Sequence, residues 1–425
     1  MSNYSGETAW IKSTNVYEVN LRQYTKEGTF AAFGKELPRL KDMGVKTLWF
    51  MPITPIAQKH KKGSLGSYYA ASDYTSINPE FGTLDDWRRL VDEAHEMGFK
   101  VIIDWVANHT GWDHIWTVTH PEYYERDPHT GDFLRASGMD DIIELDFNHP
   151  GLRRAMIDAM KFWVTETGID GFRCDLAFWV QLDFWVEAKK ELDPVKQLFW
   201  LGELDPLEHP AYMQVFDAAY TWTWMQKAQE FYHHHLPIHV LYDVLYRYQH
   251  VPGLKAWFTA NHDENSWNGT EFEKYGHAAP LLAVFSCTWP GVPLIYSGQE
   301  LPNRKRLQFF EKDTIEWSGR NELHDFYKTL LTLHATHPAL MADEWEAHVH
   351  RLHCSDEKRA LVYVRKNGHR QVLVLLNFSG GPLHLAIDDR RVTGVFRDVF
   401  SGEEKDLSQS KAFELEGWGY RVLEK

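Results

Sequence analysis

Acidic side chains follow two short apolar stretches of the sequence. Residues 171–174 lead into Asp175, and residues 199–202 lead into Glu203. Arg173 and Asp175 are costly to bury unless they pair with opposite charges or work at a cleft. A single acid after a strand is equally well explained as a helix N-cap or a surface charge. Two such acids close together in the sequence predict one chemical site, at the rim where buried parallel strands end.

Two further predicted strands end in acidic or imidazole side chains. Residues 101–104 precede Asn108 and His109, and residues 256–260 precede the run 261–263, Asn-His-Asp. Four strands therefore carry groups of this kind at one end. Four such groups together support the prediction of a site more strongly than any single acid does.

Three patterns suggest other chemistry but do not match its requirements. The loop 59–66 has two glycines and three lysines, yet it lacks the Gly-Lys-Ser/Thr spacing of a phosphate loop. The three histidines at 233–235 would point in different directions on a helix and cannot converge on one metal ion. A metal-dependent hydrolase using Asp104, His109 and His262 lacks HExxH or equivalent ligand spacing. The sequence predicts no metal site.

The elements that must position these groups alternate between β-rich runs and amphipathic helices. This alternation predicts an α/β fold, a (β/α)8 TIM barrel. Helices are predicted over 30–43, 85–97, 151–167, 184–192 and 322–335. The eight strand candidates are 16–19, 47–51, 100–104, 171–175, 199–203, 215–220, 256–260 and 291–296.

Two segments depart from the alternation. Residues 110–148 follow the third strand without strong periodicity, so they predict an insertion that forms a lid or a small subdomain. Between residues 360 and 422, β-rich runs leave no room for helices and predict a C-terminal antiparallel β-sandwich. We therefore expect a catalytic barrel over residues 1–335 and a β-sandwich domain over residues 336–425.

Composition narrows the classes of partner. The 425 residues carry a formal net charge of −15 and no basic run. This argues against nucleic acid and anionic membranes as partners, since both require clustered Lys and Arg. The aromatic fraction of 14% supplies rings for the face of a neutral substrate such as a sugar, although most rings belong to the core. Cys174, Cys287 and Cys354 predict buried thiols without a disulfide framework.

The beginning of the chain suggests no targeting segment. Residues 1–10 are polar, with neither a basic start nor an apolar run, and no later run is long enough to span a bilayer. We expect no signal peptide and a cytoplasmic location for the chain as given, with a trimmed exported form as the alternative. The oligomeric state stays open.

Six short motifs resemble those of the α-amylase family, glycoside hydrolase family 13. Each motif is weak alone, but six in the right order at predicted strand ends are specific. The resemblance extends from the first strand through the C-terminal sheet. The four main signatures correspond to residues 104–109, 171–175, 201–203 and 261–263, and two additional motifs to 145–148 and 291–296.

The resemblance implies roles for the strand-end acids. It implies Asp175 as nucleophile, Glu203 as general acid/base and Asp263 as stabiliser of the transition state. Retaining hydrolysis suits this division, because one carboxyl group must be ionised to attack and the other, roughly 5 Å away, must be protonated to donate. Arg173, on the same strand face as Asp175, is expected to keep the nucleophile ionised. Aromatic surroundings are expected to keep Glu203 protonated.

The resemblance also implies substrate-binding residues. His109 and His262 would donate to hydroxyl groups of the sugar at the cleavage point, and Tyr69 would stack on the face of that sugar. Alternatively, each histidine is an ordinary loop residue that follows a strand and makes its hydrogen bonds within the protein.

The sequence departs from the family pattern at several positions. Phe178 and Trp179 stand where the family often has Lys-His, so an acceptor-side contact and one backbone calcium ligand are not predicted here. Ala70 follows Tyr69 where an acidic residue is usual. Asn108 is a possible calcium ligand, but no Asp-rich loop follows the first strand. No cofactor is required, and a structural calcium is optional.

The resemblance implies a retaining α-glucan hydrolase that cleaves internal α-1,4 bonds of starch or maltodextrins through a covalent glycosyl-enzyme. Alternatives within the family are an exo-acting maltodextrin or cyclodextrin hydrolase and an α-glucan transglycosylase, and loop shape decides among them. A barrel that binds glucan without catalysis is a rival from another class. That rival predicts the loss of at least one acid, yet Asp175, Glu203 and Asp263 are all present.

Overall fold

Eight parallel strands close into a barrel in the computed structural model, which describes residues 4–344 and 346–425. Residues 1–3, at the start of the polar N-terminal segment, and Trp345 lie outside the described residues. The strands up to residue 300 are Val16–Val19 (β1), Thr47–Phe50 (β2), Lys100–Trp105 (β3), His109–Gly111 (β4), Ile142–Glu144 (β5), Gly171–Cys174 (β6), Phe199–Gly202 (β7), Ala218–Tyr220 (β8), Leu254–Trp257 (β9) and Val292–Tyr296 (β10). The barrel order is β1-β2-β3-β6-β7-β8-β9-β10, and β4 pairs antiparallel with β5 outside the barrel. The predicted TIM barrel is confirmed.

Helices connect the barrel strands. Their starts and stops follow the local sequence: Thr83 Oγ1 accepts from the Asp86 amide at 3.2 Å to begin one helix, and Gly168 ends another with φ +69°. In chain order the helices are Leu21–Tyr24 (α1), Phe30–Gly34 (α2), Leu37–Asp42 (α3), Leu84–Glu96 (α4), Trp116–Thr119 (α5), Pro150–Thr167 (α6), Leu182–Leu192 (α7), Trp222–His234 (α8), His239–Gln249 (α9), Glu271–Tyr275 (α10), Ala279–Thr288 (α11) and His324–Thr336 (α12).

Several predicted elements differ in extent from the structure; the strand predicted over 215–220, for example, is limited to Ala218–Tyr220 in β8. The helix predicted over 30–43 is divided into α2 and α3, because Pro38 lies in the first turn of α3 and cannot continue a preceding helix. The strand predicted over 256–260 ends earlier, at Trp257 in β9, so its last residues belong to the loop that leads to the site. The histidines at 233–235 are exposed at the end of α8.

The residues after α12 form antiparallel sheets. The strands are His348–Arg351 (β11), Ala360–Asn367 (β12), Arg370–Asn377 (β13), Leu383–Ala386 (β14), Val395–Asp398 (β15), Glu404–Asp406 (β16), Ala412–Leu415 (β17) and Tyr420–Glu424 (β18). Six of them form a sheet in the order β11-β12-β13-β18-β15-β16, and β14 pairs with β17. The domain boundary predicted at residues 335 and 336 falls at the end of α12 and stays a prediction.

The central strands of the six-stranded sheet, β12 and β13, are buried on both faces, whereas β15 alternates exposed and buried side chains. In β12, Val362 and Val364 pack with residues of β14 and β17, while Leu361 and Tyr363 belong to the same core as the barrel. This alternation is the period of two that places successive side chains on opposite faces of a strand. The Tyr363 hydroxyl lies 2.6 Å from Thr288 Oγ1 of α11. The C-terminal sheets are therefore packed against the barrel through buried contacts.

Two further sequence expectations concern cysteines and membranes. Cys174 and Cys287 are buried, Cys354 is half-buried, and all three are free thiols. Within residues 4–344 and 346–425, every helix is too short or too polar to cross a bilayer.

Candidate active site

Five of the seven predicted site residues line one cavity at the carboxyl end of the barrel strands. Tyr69, His109, Asp175, Glu203 and Asp263 face this cavity, whose volume is about 440 Å³. Asp175 and Glu203 are the first residues after β6 and β7, which are hydrogen-bonded neighbours. Parallel barrel strands end at one face, so acids that follow neighbouring strands directly lie side by side. The cavity has the volume of a small-molecule site.

Arg173, in β6, is buried behind the cavity and joins its carboxyl groups. Its Nη1 lies 2.9 Å from Asp175 Oδ1 and 3.0 Å from Asp104 Oδ1, and its Nη2 lies 3.0 Å from Glu203 Oε2. Its Nε donates to the Tyr220 hydroxyl at 3.2 Å. One positive charge cannot balance three buried negative charges, so this cluster favours retention of a proton by a carboxyl group.

The two acids after β6 and β7 have unequal proton affinities. Burial raises the pKa of Asp175 from 3.8 to about 6, although Arg173 opposes this shift. Burial, again opposed by Arg173 and assisted by the nearby Asp175, raises the pKa of Glu203 from 4.5 to about 7. Near neutral pH, Asp175 is therefore the better nucleophile and Glu203 the better proton donor. Arg173 contacts both acids, so its charge alone does not account for the difference between their pKa values.

The turn after Asp175 holds the carboxyl group of Glu203. Leu176 has a left-handed backbone, with φ +39° and ψ +49°, which is uncommon for a side chain of this kind. This conformation directs the Leu176 amide to Glu203 Oε2, to which it donates at 2.8 Å. The backbone beside one acid thus positions the other.

His262 is buried among acidic and hydroxyl groups. Its Nδ1 lies 2.5 Å from Glu18 Oε1, and its Nε2 lies 2.7 Å from the Tyr69 hydroxyl. Burial opposes its charge, but Asp263 and Glu18 raise the pKa of His262 to about 9. The imidazolium donates to the Tyr69 hydroxyl, which in turn donates to Asp104 Oδ2 at 3.0 Å. Donation from His262 to a sugar hydroxyl stays a prediction, since Nε2 faces Tyr69 in this structure.

His109 has the opposite character. Burial lowers its pKa to about 4, so the ring is neutral near pH 7. Among the described residues, its Nε2 has no hydrogen-bond partner although it is buried. A buried polar nitrogen at the wall of a cavity calls for a polar ligand. This geometry agrees with the predicted contact between His109 and a sugar hydroxyl.

Sequence reasoning missed several residues that build this site. Glu18 was assigned only to the first strand, although a charged residue inside the apolar run Val-Tyr-Glu-Val was a usable signal. Asp104 was considered as a signature residue and as a metal ligand, but not as a partner of Arg173. Trp267, Phe309 and Phe310 line the cavity mouth, with ring centroids of Trp267 and Phe309 5.5 Å apart. No short-range pattern marks these rings, because they come from two separate loops.

Phe178, Trp179 and Asn108 are the positions that bear on an acceptor-side contact and on calcium. Phe178 stacks on His209 with ring centroids 4.4 Å apart, and Trp179 is 37% exposed beside it. In the described part of the chain, no group of three or more His, Cys, Asp or Glu side chains is arranged to hold a metal ion. The Asn108 carbonyl accepts from the Leu145 amide at 3.0 Å. A calcium cage takes six to eight oxygen ligands, and the optional structural calcium stays a prediction.

Comparisons with known proteins agree with this architecture. A family model described as "Alpha amylase, catalytic domain" matches residues 12–134. The crystal structure of a "noncanonic maltogenic alpha-amylase AmyB" from Thermotoga neapolitana is 29% identical, with a TM-score of 0.87, and the match covers 98% of this chain and 99% of that one. The likeness therefore includes the C-terminal sheets as well as the barrel.

Two curated relatives match over most of this chain. "Alpha-amylase MalA" of Haloarcula japonica is 26% identical and matches 94% of this chain and 64% of its own length. "Neopullulanase 2" of Thermoactinomyces vulgaris is 27% identical and matches 87% of this chain and 66% of its own length. The chain spans about two thirds of the length of these relatives.

Proposed function

We propose, from the membership of this chain in the α-amylase family of glycoside hydrolases, that it hydrolyses α-1,4-glucosidic bonds of maltodextrins with retention of configuration. The observation that supports this most directly is the pair Asp175 and Glu203. They follow neighbouring strands, line one cavity, share one guanidinium and hold protons with unequal affinity. A retaining mechanism requires such a pair of close but differently protonated carboxyl groups.

The proposed reaction has two steps. In the first, the Asp175 carboxylate attacks the anomeric carbon while the bond from that carbon to the leaving oxygen breaks and Glu203 gives that oxygen its proton. In the second, Glu203 takes a proton from water, whose oxygen attacks the anomeric carbon and releases Asp175. The Asp263 carboxylate, at the same cavity, would stabilise the positive charge that develops on the sugar ring.

The place of cleavage along the glucan has two candidates. The sequence analysis predicted cleavage of internal bonds, as in an endo-acting amylase. The relatives include proteins named as a maltogenic amylase and as a neopullulanase. These names favour the exo-acting or transferring alternative. Starch, maltodextrins and cyclodextrins are thus proposed substrates.

The first test is the product time course on maltoheptaose and on soluble starch, with the anomeric form of the first product read by NMR. We expect α-anomers to appear first, because two inversions at the anomeric carbon restore the starting configuration. A chelator should leave the rate unchanged, because neither carboxyl group needs a metal for its part in the proposed reaction. First products of β configuration, or no cleavage of either glucan, would contradict the proposal.

The pH dependence of kcat/KM is a second prediction. Activity requires Asp175 without a proton and Glu203 with one, so the rate should be greatest between about pH 6 and about pH 7. Below this window Asp175 gains a proton, and above it Glu203 loses one, so the rate should fall about tenfold per pH unit on either side. Wild type assayed with an α-maltosyl fluoride donor, whose fluoride leaves without a proton, is the control and should lose the alkaline limb. An alkaline limb that persists with this donor would contradict the assignment of that limb to the general acid.

A further inference from the structure

An ion pair between an exposed lysine and a buried aspartate lies at one end of the active-site cavity. Lys62 Nζ lies 2.7 Å from Asp141 Oδ1, and both residues line the same cavity as Asp175 and Glu203. The Asp141 side chain is only 5% exposed, and the Lys62 side chain that covers it is 37% exposed. The two residues come from different loops, one after β2 and one in the insertion after β3, so the pair joins two walls of the cavity.

The neighbours of Asp141 show which end this is. Asp141 directly precedes β5, whose first residue pairs with Gly111 of β4, and its charge raises the proton affinity of His109 at the start of β4. Glu203 instead contacts the amide of Leu176, after β6. Glu203 would protonate the leaving group, and we assign the side of His109, where the ion pair lies, to the part of the glucan that remains on the enzyme.

The loop after β2, which carries Lys62, is hydrogen-bonded to the insertion that follows β3. Asp113, just after β4, accepts hydrogen bonds from the amides of Gln58 and Lys59 at 3.0 and 3.1 Å. Two amides of the β2 loop are thus held by one carboxylate of the insertion. This brings the loop that follows β2 against the insertion, on the same side as Asp141.

The same loop is tied on its other side to the loop after β10. The Leu65 amide donates to the Phe310 carbonyl at 3.0 Å, and the Ser64 amide donates to Glu311 Oε1 at 2.8 Å. Gly63 has φ +60°, and a Cβ there would lie 2.6 Å from Phe310 Cβ, so the close approach requires glycine. Three loops therefore form one continuous wall around this end.

Both members of the ion pair can form further hydrogen bonds with a ligand. An ammonium group has three N–H donors and a carboxylate has several acceptor positions, so a single contact between them leaves donors and acceptors unused. Sugar hydroxyls can donate to Asp141 and accept from Lys62. The pair thus offers hydrogen bonds to hydroxyl groups at this end of the cavity, where the three joined loops meet.

We propose that Lys62 and Asp141 close the glycone end of the cavity and bind hydroxyl groups of the terminal glucose, so that cleavage proceeds from the non-reducing end. This rests on the proposed glucan hydrolysis and selects its exo-acting form. A chain that continues beyond this end would have to displace Lys62. This would leave the buried Asp141 carboxylate without its counter-charge.

The test compares maltoheptaose with maltoheptaose that carries a 4,6-O-ethylidene group on its non-reducing terminal glucose. Wild type should cleave the blocked sugar about 100-fold more slowly, because the group removes two hydroxyls and adds bulk at the wall. Lys62→Met and Asp141→Asn should each reduce this discrimination to about tenfold or less. The neighbouring variants Lys61→Met and Asp140→Asn are matched controls, since neither residue lines the cavity, and should keep the wild-type ratio.

A second readout uses maltoheptaose labelled at its reducing end. Wild type should give one labelled product at early times, whereas Lys62→Met and Asp141→Asn should give several. Equal cleavage of free and blocked sugars by wild type would overturn this inference and leave the proposed hydrolysis standing. The inference would also be overturned if both cavity variants kept the wild-type ratio of rates on free and blocked maltoheptaose. This includes the case in which both rates fall by the same factor. Failure of wild type to cleave either sugar would instead remove the proposed function itself.

Discussion

Asp175→Asn should lower kcat on maltoheptaose by about 10⁴-fold or more, because it removes the nucleophile that forms the glycosyl-enzyme. Asparagine keeps the shape of the side chain but offers no ionised oxygen to attack the anomeric carbon. Arg173 would still contact Asp104 and Glu203, so the cluster behind the cavity keeps its cation. Substrate binding should therefore survive while turnover is lost.

The fold of this variant should not be weaker than that of wild type at pH 7. Burial raises the pKa of Asp175 above its ordinary value of 3.8 to about 6. The folded state therefore gains stability from protonated Asp175 below pH 3.8 and loses that gain as the pH rises to about 6. At pH 7 the ionised group opposes folding, and the neutral asparagine amide removes this cost.

Turnover and thermal unfolding of Asp175→Asn are measured beside Asp183→Asn. Asp183, on α7, is an exposed acid that pairs with Arg153 of α6 and does not line the cavity, so its variant should keep wild-type turnover. Loss of activity together with a much lower unfolding temperature would assign Asp175 to the fold. Activity within about tenfold of wild type would exclude Asp175 as the nucleophile.

Much of the site could be predicted because its acids follow strands. Asp175 and Glu203 come directly after apolar runs, and the barrel places all such positions on one face. Tyr69 and His109 follow the same logic, since they lie in the segments that follow barrel strands β2 and β3. Local order in the sequence was enough to group these residues, and the family resemblance was enough to give each a role.

The contacts between loops could not be predicted in this way. The pairs Glu18 with His262 and Lys62 with Asp141 join residues that are far apart in the chain. Whether these side chains meet depends on how loops of different lengths pack above the barrel. Sequence periodicity does not predict this packing. The contact of Arg173 with Glu203 likewise depends on the curvature that brings neighbouring strands together. These contacts decide protonation and the shape of the cavity, which the motifs alone left open.

Glu203→Gln should lower kcat on maltoheptaose by about 10³-fold, within the range expected for loss of a general acid. The same variant should form the glycosyl-enzyme readily from α-maltosyl fluoride, because fluoride leaves without a proton. Water then lacks its general base, so the intermediate on Asp175 should accumulate and be visible by intact mass.

Azide distinguishes loss of the acid/base from general damage to the site. It attacks the anomeric carbon without giving up a proton, so it should restore turnover of the fluoride donor in Glu203→Gln and leave wild type nearly unchanged. Glu208→Gln, at an exposed acid five residues later, is the matched control and should show neither accumulation nor rescue. Equal losses on both donors without an accumulated intermediate would show that Glu203 supports the cavity and does not transfer the proton. Accumulation on Asp175 with rescue by azide would place both acids in the two roles that their unequal proton affinities favour.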